Sequence, residues 1–194
     1  FPLDGYPEAQ ICDSSLEETS ILVVAKQGNH KCFDDYIHLS RAFSSFSSSS
    51  HFKFNLTVVT PSRLFSFFTS NSFVDVIPFQ SKESFLVLLA KSHFFISLSH
   101  HEGFGINPLD SILCRCLPIL RHNGGCSNFL QSDFPGLLPN DASVESVLDH
   151  LAYLDNLRRV SPNVFLSILD KAHDAVVEYL NNSLVLRDNF FRSF

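Results

Sequence analysis

Two stretches of this sequence hold residues whose types and spacing could do chemistry. The first reads Ser99-His100-His101-Glu102-Gly103-Phe104-Gly105-Ile106-Asn107-Pro108-Leu109-Asp110. Gly103 and Gly105 flank Phe104 and let the backbone approach a ligand closely. Pro108 suits the first turn of a helix, where its missing N–H costs nothing. The amides of Gly105, Ile106 and Asn107 then point out of a helix N-terminus, a ready site for an anion. Glu102 precedes that helix and Asp110 lies about one turn inside it. Both carboxylates can therefore edge one bound molecule as acceptors for its hydroxyls. The second stretch is Ala25-Lys26-Gln27-Gly28-Asn29-His30-Lys31, in which two cations bracket a glycine that can bend the loop. Lys26 and Lys31 can both face one diphosphate.

Other chemistries find little to rest on. His100 and His101 are adjacent, point different ways on an extended segment and have no third ligand at metal spacing, so no metal is expected. Cys114-x-Cys116 lacks the two-residue spacer of redox and zinc motifs and reads as buried packing. Cys126 follows Gly125 without a base nearby to activate it. A Gly-x-Ser-x-Gly elbow, a P-loop and a Gly-x-Gly-x-x-Gly fingerprint are all absent from the 194 residues.

These loops must be positioned by something. Ile21 to Ala25 reads as a strand, followed by a helix with Cys32, Phe33, Tyr36, Ile37, Leu39, Ala42 and Phe43 at helical spacing. Ser44 to Ser50 reads as a surface loop and Phe52 to Thr60 as an alternating strand. A helix over Ser62 to Thr69, a strand over Phe73 to Phe79, a helix over Lys82 to Lys91 and a strand over Phe94 to Ser99 repeat the pattern. After the glycine loop come a helix over Asn107 to Cys114 and a strand over Leu117 to Leu120. Five strands alternating with helices predict a parallel sheet covered on both faces, a doubly wound, Rossmann-like α/β domain. From Ser143 onward the pattern is helical only, split at Ser161-Pro162. The expected division is an extension or linker over 1–20, the α/β domain over 21–141, and a helical tail over 142–194. In that tail Phe190, Phe191 and Phe194 fold back on the domain or dock a partner. In such folds ligands sit outside the carboxyl ends of the strands, where both chemical loops fall.

Composition agrees with one well-filled core. With 45% hydrophobic residues, a chain of this length should bury roughly 70% of its unfolded surface. The net charge of −6 and the scattering of the 14 Lys and Arg exclude nucleic-acid binding by bulk electrostatics. The longest apolar runs, such as Phe85 to Ala90, fall far short of the roughly 20 residues of a membrane span. No basic-then-apolar leader is present, and the five cysteines, an odd number, favour a reducing, cytoplasmic location, including the surface of a membrane. The chain has no Met and begins Phe-Pro-Leu-Asp-Gly-Tyr, which reads as a fragment or a processed product.

The segment EGFGINPLDSILCRCLPI, followed by HNGG, resembles the stretch close to EGFGLPPLEAMACGCIPV in the C-terminal domain of retaining GT-B glycosyltransferases of family 4 (glycosyl transferases group 1). In that family the first strand of the domain runs into a Gly-Arg loop with a Lys five residues after the Arg. Ala25, Lys26 and Lys31 stand at those places. Pro135-Gly136-Leu137-Leu138 is similar to the family's Gly-Leu-Leu before its terminal helices. The resemblance covers about Ile21 to Asp141.

The resemblance implies the C-terminal half of a GT-B fold that transfers a hexosyl group from a nucleotide diphosphate sugar. It implies that Lys26 and Lys31 bind the donor diphosphate. Backbone around Gly103, Phe104, Gly105 and Ile106 would hold phosphate and sugar, Asp110 the ribose hydroxyls, and Glu102, the catalytic candidate, the sugar ring. It implies no cofactor and no metal, and a separate N-terminal acceptor domain as partner. The chain departs from the pattern at four places: Asp110 replaces Glu, Lys26 replaces Arg, Arg115 stands where Gly is usual, and Asn128 stands where an acid is frequent. Those departures keep open a second reading, a non-catalytic relic of the same fold or a partner-binding module. A sugar-nucleotide epimerase shares the two-domain architecture, but its distinguishing residues are absent.

Overall fold

The computed structural model describes residues 6–7, 18–28, 32–50, 52–68, 71–101, 103–122 and 124–192, with side chains up to residue 183 except that of Ser127. Six strands, β1 (Glu18–Val24), β2 (Lys53–Val59), β3 (Val74–Ile77), β4 (Phe94–Ser97), β5 (Leu117–Arg121) and β6 (Leu137–Leu138), form one sheet in the order β3-β2-β1-β4-β5-β6. All five pairings are parallel. The helices are α1 (Phe33–Ser49), α2 (Lys82–Ala90), α3 (Ile106–Leu113), α4 (Val144–Val160) and α5 (Pro162–Arg192). The expected Rossmann-like α/β fold with a helical tail is therefore observed, with β6 as one more strand than the five expected.

The strands are hydrophobic on both faces because helices cover both. Alternate residues of β1 and β4 feed opposite layers. Ile21, Val23, Phe94 and Ile96 join the larger core with α1, α4 and α5, while Leu22 and Phe95 join a second cluster closed by Phe85, Leu86 and Leu89 of α2. The buried stripe of α5, Phe165, Leu169, Ala172, Val176 and Leu180, follows helical spacing along a face turned inward.

Two expectations need correction. Ser44 to Ser49 is not a surface loop but the last turns of α1. The serines satisfy their own hydroxyls there: Ser48 donates to the Ser44 carbonyl at 2.7 Å and Ser49 to the Phe46 carbonyl at 3.0 Å. Ser47 is buried and bridges to β2, donating to the Phe54 carbonyl and accepting from the Phe54 N–H. A serine run that pairs with helix carbonyls and is anchored by Phe43 and Phe46 need not leave the helix. The segment after β2 is a 3₁₀ turn over Ser62–Phe67 rather than an α-helix, and it buries only Leu64. Phe194 lies outside the described residues, as do the side chains of Phe190 and Phe191.

At the amino-terminal end of the sheet a buried polar cluster ties β1 to α4. The Asp155 carboxylate accepts from the Thr19 hydroxyl at 2.8 Å, from Arg158 Nε at 3.0 Å and from Arg159 Nε at 2.7 Å. Beside it His93, just before β4, accepts the Ser20 N–H at Nδ1 at 3.0 Å, while its buried Nε2 has no partner among the described residues. Burial pushes the imidazole down to about 4, and the Arg158 guanidinium acts in the same direction. The unfolded chain protonates histidine near pH 6.5, whereas the folded chain resists until about pH 4. The stability contributed by neutral His93 is thus present above about pH 6.5 and is lost as the pH falls through that window. Urea unfolding at about pH 7 and about pH 4.5 should show a smaller acid-side loss of stability in His93→Gln than in the parent chain.

Candidate functional site

The strand order reverses between β1 and β4: the chain leaves β1 toward β2 and β3 and returns on the other side through β4 and β5. Connections that diverge in this way leave a crevice outside the strand ends. A crevice of about 250 Å³ lies there, lined by Val24 at the end of β1 and Lys26 just after it, by Tyr36 of α1, by Ser97 and Ser99 at the end of β4, and by Phe104 to Pro108.

Each lining group has an identifiable support. Lys26 is exposed, with its ammonium 5.4 Å from the centre of the Phe79 ring. The Tyr36 hydroxyl accepts the Leu98 N–H at 2.9 Å and so fixes the backbone where β4 runs out. Phe104 leans on Tyr179 of α5 with ring centres 5.9 Å apart, and Tyr179 also meets Phe129 at 6.1 Å. The tail helix therefore props the glycine loop. Gly103 is exposed with open space around it, and Ile106 is half-exposed at the start of α3.

Both ends of α3 use left-handed backbone. Gly105 precedes the helix with φ +74°, and its α-carbon faces the Cys126 sulfur and the Phe129 ring at ordinary contact distance for an added carbon. The N-cap, Gly105, offers no side chain to the amides of the first turn, the groups that hold anions at helix N-termini. At the other end Arg115 takes φ +60°. The Cys116 N–H bonds the Ser111 carbonyl at 2.8 Å and the Arg115 N–H the Ile112 carbonyl at 3.0 Å, the paired bonds of a Schellman cap. Arginine thus occupies a position that glycine adopts without strain, partly compensated by an ion pair with Asp170 of α5.

Asp110 is brought close to this region but not onto the crevice wall. It is buried, and both carboxylate oxygens are engaged: Oδ1 accepts from the Tyr6 hydroxyl at 2.8 Å and Oδ2 is paired with the Lys82 ammonium. Burial and then the hydrogen bond to Asp110 hold the Tyr6 phenol well above its usual range. Burial, followed by the Asp110 charge, also pushes the Cys114 thiol up to about 12, so Cys114 is an inert packing group. Lys31 and Glu102 lie outside the described residues. Tyr36, Tyr6 and Lys82 were invisible as site residues in the sequence. Each meets its partner only through long-range packing, across 62, 104 and 28 positions respectively.

The two ends of α3 make opposite predictions. Gly105→Ala should destabilise the chain by about 1 kcal/mol, whereas Arg115→Gly should exceed Arg115→Ala in stability by about 1 kcal/mol. Thermal unfolding of the three variants measures both.

Comparison with known proteins places this crevice in context. Residues 68–163 match the family Glycosyl transferases group 1. No curated protein sequence matches the chain at significant similarity. Among solved structures it is similar to the C-terminal domain of a glycosyl transferase group 1 family protein, LpcC, from Francisella tularensis. The TM-score is 0.63 at 16% identity, over 82% of this chain and 85% of that one. It is also similar to a glycosyltransferase from Rickettsia africae, with a TM-score of 0.72 at 17% identity, over 97% of this chain and 53% of that one. A third is a trehalose-6-phosphate protein from E. coli bound with UDP-2-fluoro glucose, with a TM-score of 0.65 at 11% identity, over 84% of this chain and 41% of that one. The chain therefore spans about half the length, or less, of the last two. Family match and fold agree: residues 68–163 are similar to glycosyl transferases group 1, and the chain has the architecture of the C-terminal half of a GT-B glycosyltransferase.

Proposed function

We propose that the crevice between β1 and β4 binds the diphosphate and sugar of a nucleotide diphosphate hexose, and that the chain serves hexosyl transfer with retention together with an N-terminal acceptor domain. One observation carries this reading: Lys26 and the N-terminus of α3, whose N-cap is Gly105, line the same crevice at the strand-order reversal. A nucleoside diphosphate gains negative charge as it leaves, and a fixed cation and helix amides aimed at it stabilise that charge without rearranging. Lys31 adds a second cation and Glu102 contacts the sugar ring. In this reading the departure of the diphosphate calls on no metal. The UDP-2-fluoro glucose in the E. coli protein of the same fold supports a sugar donor of this class. No helix among the described residues is long and apolar enough to cross a membrane, and we place the transfer in the cytoplasm, where the cysteines stay reduced.

The Asp110 pairing favours one alternative. A carboxylate already held by Tyr6 and Lys82 must give up a partner before it receives ribose hydroxyls. If it does not, the chain is a partner-binding relic of the fold. Replacing Glu102 by Ala in the complete transferase separates the two readings, since unchanged transfer favours the relic.

Binding measures the primary reading directly. Calorimetric titration with UDP, GDP and their hexose conjugates should give weak binding, and Lys26→Ala should weaken it by about tenfold through loss of a charge-assisted bond. No binding by any of them at millimolar concentration would overturn the reading.

Asp110 yields a second expectation. Tyr6→Phe removes the phenol that competes for Oδ1, so nucleotide binding should tighten by about fivefold. The gain should shrink for the 2′-deoxy nucleotide, which offers one hydroxyl fewer.

A further inference from the structure

Three residues distant in sequence meet beside the crevice. Cys32 caps the N-terminus of α1, Asp35 lies in its first turn, and His100 sits in the loop that leaves β4. The Cys32 sulfur, a carboxylate oxygen of Asp35 and a ring nitrogen of His100 all lie within 4.8 Å of one another. All three are partly accessible, and Cys32 is in no disulfide. Their neighbours in sequence, Tyr36 and Ser99, line the crevice, so the trio stands on its rim.

We propose that Cys32, Asp35 and His100 bind a divalent metal ion of borderline softness, of which Zn(II) is the best match to the donor set. Thiolate, imidazole and carboxylate are the three zinc donor types, and three protein ligands leave one position of a tetrahedral ion to water or to an oxygen of another bound molecule. Zinc bond lengths place ligand atoms about 3.5 Å apart in a tetrahedron, so side-chain rotation of about 1 Å closes the site. On binding, the Cys32 thiol releases its proton to solvent and its sulfur takes up the metal as thiolate.

Two features beyond proximity support the assignment. Metal ligands are oriented by outer hydrogen-bond partners, and His100 and Asp35 each have one. His100 Nδ1 lies 3.2 Å from Asn140 Oδ1. Asp35 is paired through Oδ2 with Arg121, which is itself buried and donates to the carbonyls of Leu98 and Ala142. That guanidinium fixes the Asp35 carboxylate, an oxygen of which lies within the cluster. The second feature is backbone: Cys32 holds φ +50°, a left-handed conformation that few residues other than glycine adopt cheaply. Strain of this kind persists where the surroundings over-determine it. Here it sets the thiol against Asp35 and His100. The inference stands apart from the proposed transfer, because it assigns the ion no part in departure of the diphosphate.

The test uses the whole 194-residue chain and Co(II) as a spectroscopic stand-in. One equivalent of Co(II) should produce thiolate-to-cobalt charge-transfer absorption and the visible bands of a tetrahedral ion, and Zn(II) should bleach both. Cys32→Ser should abolish the charge-transfer absorption and His100→Ala the tetrahedral bands. Cys114→Ser, at a buried cysteine outside the trio, should leave both intact. Asn140→Ala, which keeps all three ligands, should weaken Zn(II) binding by about tenfold. Circular dichroism of each variant confirms that it is folded. A parent chain without charge-transfer absorption, or absorption that survives in folded Cys32→Ser, would overturn the proposal.

Discussion

The parallel pairing of β1 with β4 is the constraint on which the rest of the molecule depends. Ile21, Leu22 and Val23 lie opposite Phe94, Phe95 and Ile96, and all six are almost wholly buried, with alternate residues feeding opposite layers. A slip of one residue would exchange the layers and leave every side chain facing the wrong helices, so the register is strongly held. Parallel neighbours cannot be joined by a tight turn, and the chain between these two runs out through β2, β3 and α2 before it returns. That detour opens the crevice and aims the ends of both strands at it. Lys26 and the glycine loop face a common space for this reason.

Buried polar networks at the two ends of the sheet hold the helices against this pair. Arg121, at the carboxyl end of β5, donates to the Leu98 and Ala142 carbonyls and pairs with Asp35, joining α1, the end of β4 and the segment before α4. Thr19, Asp155, Arg158 and Arg159 do the same between β1 and α4 at the opposite end. Losing one partner of a buried ion pair typically costs about 3–5 kcal/mol, because the remaining charge stays out of water. Such networks resist sliding of the layers in a way that apolar contact alone does not.

Much of this architecture is readable from periodicity. The five longer strands, the order of helices and the position of the glycine loop follow from alternation and helical spacing, whereas the left-handed Arg115 was signalled only by the family resemblance, in which glycine is usual at that place. The serine run is the instructive failure. Polar composition suggested a loop, but Ser47, Ser48 and Ser49 spend their hydroxyls on nearby carbonyls, and the neighbouring phenylalanines anchor the helix. Composition reports what a side chain prefers in water; it does not report a partner supplied by the next strand. The two-residue β6 is similarly short of any pattern, and exists because the Leu120 N–H finds the Gly136 carbonyl.

The sequence by itself determined the parallel α/β class, the loops that follow β1 and β4, and the residues there able to meet an anion, since these depend on local spacing. Only the tertiary structure decided which polar groups meet. Tyr6 and Lys82 saturate Asp110, Phe104 rests on Tyr179, and Cys32 and Asp35 converge with His100. Each of these contacts joins elements whose separation along the chain carries no periodic signal, and each forms because the core beneath brings two backbones to one end of the sheet. Patterned burial is written in consecutive residues, whereas pairing across the fold depends on the geometry that burial produces.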